Sequence, residues 1–162
     1  MKKLSIWLCS SLLLLAHFSA HAQTAADAIE VDDAYVRIAP PNALATAAFM
    51  ELENESNDDH ALVSAKTTIN QTTELHTHIN DNGVMKMRQV SQIDLPADQE
   101  VKLQPGGFHI MLIGLNAPIQ EGQHIQIELK FEDGSTKTIS AKSRSMMKMD
   151  EMNHSHDHEH HH

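Results

Sequence analysis

The sequence predicts an all-β domain, an antiparallel β-sandwich or barrel, followed by a disordered C-terminal tail. Three observations carry that prediction. Between Ile29 and Arg144 short apolar segments alternate with polar turns at the spacing of a sandwich. Asn82-Gly83 and Asp133-Gly134 each sit between apolar runs, and both dipeptides accept the positive φ of a tight hairpin turn. No window holds apolar residues at helical spacing over about 10 residues or more.

The chain has 162 residues, enough for one ordinary domain. Residues 1–22 read as an export signal. Lys2 and Lys3 give a positive start, an apolar run centres on Leu12–Ala16, and Ala20-His21-Ala22 is a small-x-small cleavage site. The run is too short and broken for a spanning helix, which needs about 20 residues, so no stable membrane anchor is expected. Cys9 precedes the run and is badly placed for a lipoprotein cleavage site. Cleavage after Ala22 leaves 140 residues, of net charge −12, with no Cys and no Trp. A thiol-free exported chain passes an oxidising compartment without disulfide chemistry, and the compact signal points to the bacterial periplasm.

Within the 23–144 domain, residues 23–28 are small and polar and are expected to be a mobile terminus. Strands are then expected at 35–38, 47–52, 61–65, 74–79, 84–90, 101–103, 108–113, 125–131 and 137–141, each bounded by polar, Pro or Gly residues. The last segment, 145–162, differs in kind. Ten of its 18 residues are Met or His, and it lacks apolar periodicity, so it is expected to be disordered without a ligand.

Composition narrows the function. Lys plus Arg number 12 against 22 Asp plus Glu, for a net charge of −10. A nucleic-acid binder needs a basic face to displace counterions, and so does a protein docking on anionic lipid. One Cys excludes a disulfide scaffold, a multi-Cys zinc finger and a Cys-ligated iron–sulfur cluster. The excess lies elsewhere, in nine Met and 13 His.

Strand parity places that excess. Side chains alternate faces, so Phe108, Ile110 and Leu112 point together into the core while His109 and Met111 share the other face. Leu75 and Ile79 likewise oppose His76 and His78, and Met85 and Met87 share a face across the Asn-Gly hairpin. Three strands thus offer paired His or Met side chains. Thioether sulfur is soft and suits Cu(I), and imidazole suits copper in either oxidation state. A His₂Met₂ set would hold Cu(I) in a roughly tetrahedral site, and without thiolate it cannot form a blue-copper centre. Not every such residue belongs to a site. Met50 reads as core filler, His60 and His124 read as surface residues, and Met85 and His78 are open between a bland and a functional role.

Ten residues separate His76 from Met87, 21 separate Met87 from His109, and one separates His109 from Met111. With Glu74-Leu75-His76, Val84–Arg88 and Leu103–Leu112 around them, these residues resemble the His-x₁₀-Met-x₂₁-His-x-Met pattern of the periplasmic copper chaperones of the PCu(A)C type. The resemblance covers roughly residues 29–142. It implies a cupredoxin-like β-barrel or sandwich and a Cu(I) site made by His76, Met87, His109 and Met111. It also implies delivery to the binuclear copper centre of a cytochrome oxidase subunit, often alongside Sco-type thiol proteins. One departure is visible: family members often carry Met two residues after the first His, where this chain has His78. That position lies outside the four-ligand set, and the change adds an imidazole near the mouth.

The tail offers a second set of donors. Met146, Met147, Met149 and Met152 favour Cu(I), whereas His154, His156, His158 and His160, interleaved with acids, favour Cu(II), Ni(II) or Zn(II). A plain expression tag would be an uninterrupted run of His, so this tail is read as native. Its binding should weaken as pH falls through about 6.5, because ligating imidazoles must be neutral. Two readings follow, a copper chaperone and a buffer that sequesters Cu, Ni or Zn through the tail. An enzyme is not expected, since no nucleophile–base pair or paired acids stand in a hydrolytic context.

Overall fold

A computed structural model describes residues 23–145. Thr24 opens a one-turn helix, α1 (Ala25–Ala28), through a capping box with Asp27. Ten strands follow: β1 (Ile29–Arg37), β2 (Ala45–Asn54), β3 (His60–Lys66), β4 (Asn70–Asp81), β5 (Val84–Gln89), β6 (Ile93–Leu95), β7 (Glu100–Leu103), β8 (His109–Leu115), β9 (His124–Phe131) and β10 (Thr136–Arg144). They form one sheet in the order β5-β4-β8-β2-β1-β10-β9-β3-β6, with β7 pairing β2 beyond the end of β8. β3 packs against β4, so the sheet curls over its main core.

The all-β expectation holds, and its departures are local. Residues 23–28 are not a loose terminus. Ala25 and Ala28 are fully buried, and the Ala25 and Ala26 N–H groups donate to Asp133 Oδ2 and Ser135 Oγ at 2.8 and 2.9 Å. Among the ten described strands the ladders are antiparallel except where β1 meets β10 in parallel, Arg37 opposite Arg144. The three-residue β6 escaped the sequence pattern because Ile93-Asp94-Leu95 is too short to show periodicity, yet both apolar residues are fully buried.

β9 shows the logic of the core most simply. Ile125, Ile127, Leu129 and Phe131 alternate with exposed residues and are at most 1% exposed. Fully burying such a side chain is worth about 1.5–3 kcal/mol. β2 differs because both of its faces are covered. Ala48, Met50 and Leu52 face the main core, whereas Ala47 and Phe49 join Tyr35 in a second apolar cluster on the opposite face. A bulge in β1 between Asp32 and Tyr35, with Asp33 at φ 45°, sets Tyr35 opposite Phe49. That second cluster is the floor on which the site is built. The expectations for residues 1–22 and for the tail from Met146 to His162 lie outside the described residues.

Candidate metal centre

The β4–β5 hairpin turns at Asn82-Gly83, with φ of 53° and 86°, the primed geometry that the dipeptide predicts. Its register puts Met87 opposite His78 and Gln89 opposite His76. On its other side β4 pairs with β8, which sets His76 opposite His109 and Glu74 opposite Met111. β2 follows, with Ala47 opposite Met111. His76, His78, Met87, His109 and Met111 therefore share one face of three adjacent strands, as strand parity predicts.

β7 and β8 both run along β2, and the turn Gln104–Phe108 between them closes over this face. Gly106 takes φ 84°, which a residue with Cβ adopts only under strain, and the Gln104 N–H donates to the Phe108 carbonyl at 2.8 Å. His109, the first residue of β8, is only 2% exposed, with its ring 6.2 Å from Phe49. The face opposite the core is thus a covered cleft. A cavity of about 260 Å³ opens there, lined by Arg37, Ala47 and Phe49 on the floor and by His78, Met87, His109 and Met111 on the side of the hairpin.

Hydrogen bonds fix the two imidazoles. His109 Nδ1–H donates to the Gly107 carbonyl at 3.0 Å, so the lone pair of this ring is on Nε2. Burial holds the ring below its ordinary pKa, outweighing that bond, and keeps it neutral as a ligand must be. His76 is fixed in the opposite sense. Its Nε2–H donates to Glu74 Oε2 at 2.8 Å, which leaves the lone pair on Nδ1. That Nδ1 is buried without a hydrogen-bond partner, an orphan that a metal ion would satisfy. The rings of His76 and His109 stand 5.8 Å apart.

The sulfur donors differ in access. Met87 is 55% exposed and Met111 is half-buried. Met85 is 56% exposed on the same hairpin, and Met50 is 1% exposed in the core, as its bland reading expects. His124 is exposed, but His60 is largely covered, because its Nδ1 meets Glu132 Oε1 at 2.7 Å. Among the described residues, no three His, Cys, Asp or Glu side chains gather as a metal site. Met87 and Met111 are the soft donors that share this face with the imidazoles. Sequence reasoning missed Glu74 as a partner of His76, although its place two residues earlier on the same face was a legible signal.

Residues 29–143 match the LpqE-like family, described as one of lipoprotein LpqE-like proteins. The chain belongs to the LpqE-like family. Lxx21020 of Leifsonia xyli subsp. xyli is 37% identical over 128 residues, 76% of each chain. RP573 of Rickettsia prowazekii is 32% identical over 98 residues, 60% of this chain and 54% of that one. Among solved structures, the copper-bound PCuAC domain of PmoF2 superposes with a TM-score of 0.64 at 19% identity, covering 77% of this chain and 99% of that one. The solution structure of Cu(I)-DR1885 from Deinococcus radiodurans is 34% identical, with a TM-score of 0.60, covering 70% of this chain and 76% of that one. The resemblance to PCu(A)C proteins read from the ligand spacing is thus borne out in fold and in family. Among the described residues no helix is long and apolar enough to cross a membrane.

Proposed function

We propose that this protein is a Cu(I) chaperone of the periplasm, exported by the signal that ends at Ala22. It binds the ion through His76, Met87, His109 and Met111 and passes it to an acceptor, the binuclear copper centre of a haem–copper oxidase. The observation that carries this reading is the convergence of two imidazoles, hydrogen-bonded through opposite ring nitrogens, and two thioethers on one covered face. Support also comes from the relative solved as Cu(I)-DR1885, at 34% identity. Two soft sulfurs with two imidazoles suit Cu(I) and bind hard ions poorly.

Transfer needs ligand exchange and no catalytic group. His109 anchors the ion from the buried side, and the exposed Met87 is the ligand that an acceptor reaches first. The acceptor's donors replace Met87, then Met111, then the imidazoles. At no point is the ion released into water, where it could oxidise or be lost. Sco-type thiol proteins are the expected companions at the acceptor.

A Cu(I) competition titration of a chain ending at Arg144 tests this reading. One tight equivalent is expected, and Met87→Ala with His109→Ala together should abolish it. A core with no such site, or one that keeps it in the double variant, refutes the proposal. The second reading, a metal buffer, is favoured by one observation, the ten Met and His among the last 18 residues. It takes Met146, Met147, Met149 and Met152 for Cu(I), and His154, His156, His158 and His160 for Cu(II), Ni(II) or Zn(II). A buffer loses nearly all its metal capacity when 145–162 is deleted, whereas a chaperone so shortened still metallates its acceptor.

A further inference from the structure

We propose that His78 is itself a copper ligand, an outer imidazole that exchanges with His76 while Met87, His109 and Met111 keep hold of the ion. This rests on reading the cleft as a Cu(I) site. The four-residue spacing leaves His78 out, but the geometry does not. The cavity is lined by His78, Met87, His109 and Met111, and His76 is not among its lining residues. His78 lies directly across the hairpin from Met87, whereas His76 faces Gln89.

Ring separations admit both imidazoles. With an imidazole–metal bond of about 2 Å and a tetrahedral angle, two rings on one ion have centroids roughly 5 Å apart. His78 stands 5.3 Å from His109, and His76 stands 5.8 Å from it. His109 is therefore common to two imidazole pairs, one on each of two successive same-face positions of β4.

The two partners are held differently. His76 is tied by a 2.8 Å bond to Glu74, and its free lone pair is buried. His78 Nδ1 lies 3.5 Å from the Gly107 carbonyl, the outer limit of a hydrogen bond, so its ring is the more easily turned. His78 is also two residues nearer the hairpin tip, where Val84, Met85 and Met87 are each more than half exposed. Exchange of His76 for His78 shifts the ion along the strand from the buried rung to the accessible one. No redox change or proton transfer is required, because one neutral nitrogen donor replaces another.

The test is Cu(I) competition against bicinchoninate, using the full chain with Ala in place of its tail Met and His residues. His78→Ala is expected to weaken binding about tenfold, and His76→Ala by a similar factor, no more than the loss of a ligand's outer hydrogen-bond partner, because the remaining imidazole takes the vacated place. Because each imidazole substitutes for the other, the double variant should lose more than the product of the single losses. His78→Met, which restores a soft donor, should recover affinity to within a few-fold of the parent. In ¹⁵N spectra the His78 ring should shift at one equivalent of Cu(I), while thermal melts of the metal-free variants confirm folding. Unchanged affinity in His78→Ala together with an unmoved His78 ring overturns the inference and leaves the Cu(I) site standing on His76. Unchanged affinity in Met87→Ala with His109→Ala removes the site itself, and the inference with it.

Discussion

Glu74 decides which nitrogen of His76 can bind a metal. Its carboxylate accepts a hydrogen bond from Nε2–H, which leaves the lone pair on the buried Nδ1. Glu74→Gln is therefore expected to lower Cu(I) affinity by about 10–100-fold, the usual effect of losing such support. The metal-free fold should move little, since pairs this close to the surface contribute about 1 kcal/mol or less. A competition titration beside a thermal melt separates the two effects, and equal losses in both would sink the assignment. Ala47 shapes the site by what it lacks. It is 1% exposed, lies opposite Met111 and lines the cavity. Ala47→Leu should fill the cleft, costing about 1–3 kcal/mol in overpacking and displacing Met111. The expected readout is a Cu(I) affinity reduced by tenfold or more with the strand content intact.

At the scale of elements, the hairpin carries Met87 and α1 carries the chain's entry into the fold. All six β5 residues are exposed, so the register of Met87 depends on the Asn82-Gly83 turn and on the pairing with β4. Deleting Gly83 should slip that register and turn Met87 to the wrong face. Core burial would be preserved and the copper site lost, an outcome that NMR of the core methyls and a Cu(I) titration would report together. The hairpin was legible in advance because Asn-Gly names its own turn type. α1 was not legible, because its stability is not local. It hangs on Asp133, more than 100 residues away, whose carboxylate accepts from Ser135 Oγ, the Ala25 N–H and the Ser135 N–H. The bonds from Ser135 and Ala25 hold the Asp133 pKa below the ordinary 3.8, against a small opposing effect of burial. A carboxylate depressed in the folded state stabilises above its unfolded pKa, and that contribution fades as pH falls through the folded value. Below about pH 3.8 the Ala25 and Ser135 amide resonances should therefore titrate together, and in Asp133→Asn they should not. Covered His109 was half-legible. Parity set it opposite the core, but the 104–108 turn and Phe49 that bury it come from elsewhere in the chain.

For the whole molecule, the decisive geometry is where the described chain ends relative to the cleft. Arg37 lines the cavity and pairs with Arg144, the last residue of β10. From Met111 the route crosses β8 to β2, then β1, then β10. Three steps of about 4.8 Å make roughly 14 Å along the sheet. Chain beyond Arg144 reaches at most about 3.6 Å per residue. Met149, five residues on, can therefore span that distance, and Met152 and His154 can do so with slack. Sequence alone put the Met/His tail at the end of the domain, but only the parallel β1–β10 pairing puts its root beside the cleft. If the tail passes copper to the core of its own chain, filling of the core from tail-bound Cu(I) is first-order. Its half-time should then be independent of protein concentration. A chain ending at Arg144, mixed with a separate peptide of residues 145–162, should fill in a second-order reaction whose half-time lengthens tenfold on tenfold dilution. Stopped-flow measurement on the two preparations decides the matter. A full chain that also slows on dilution would mean that the tail holds copper of its own and hands it on only between molecules.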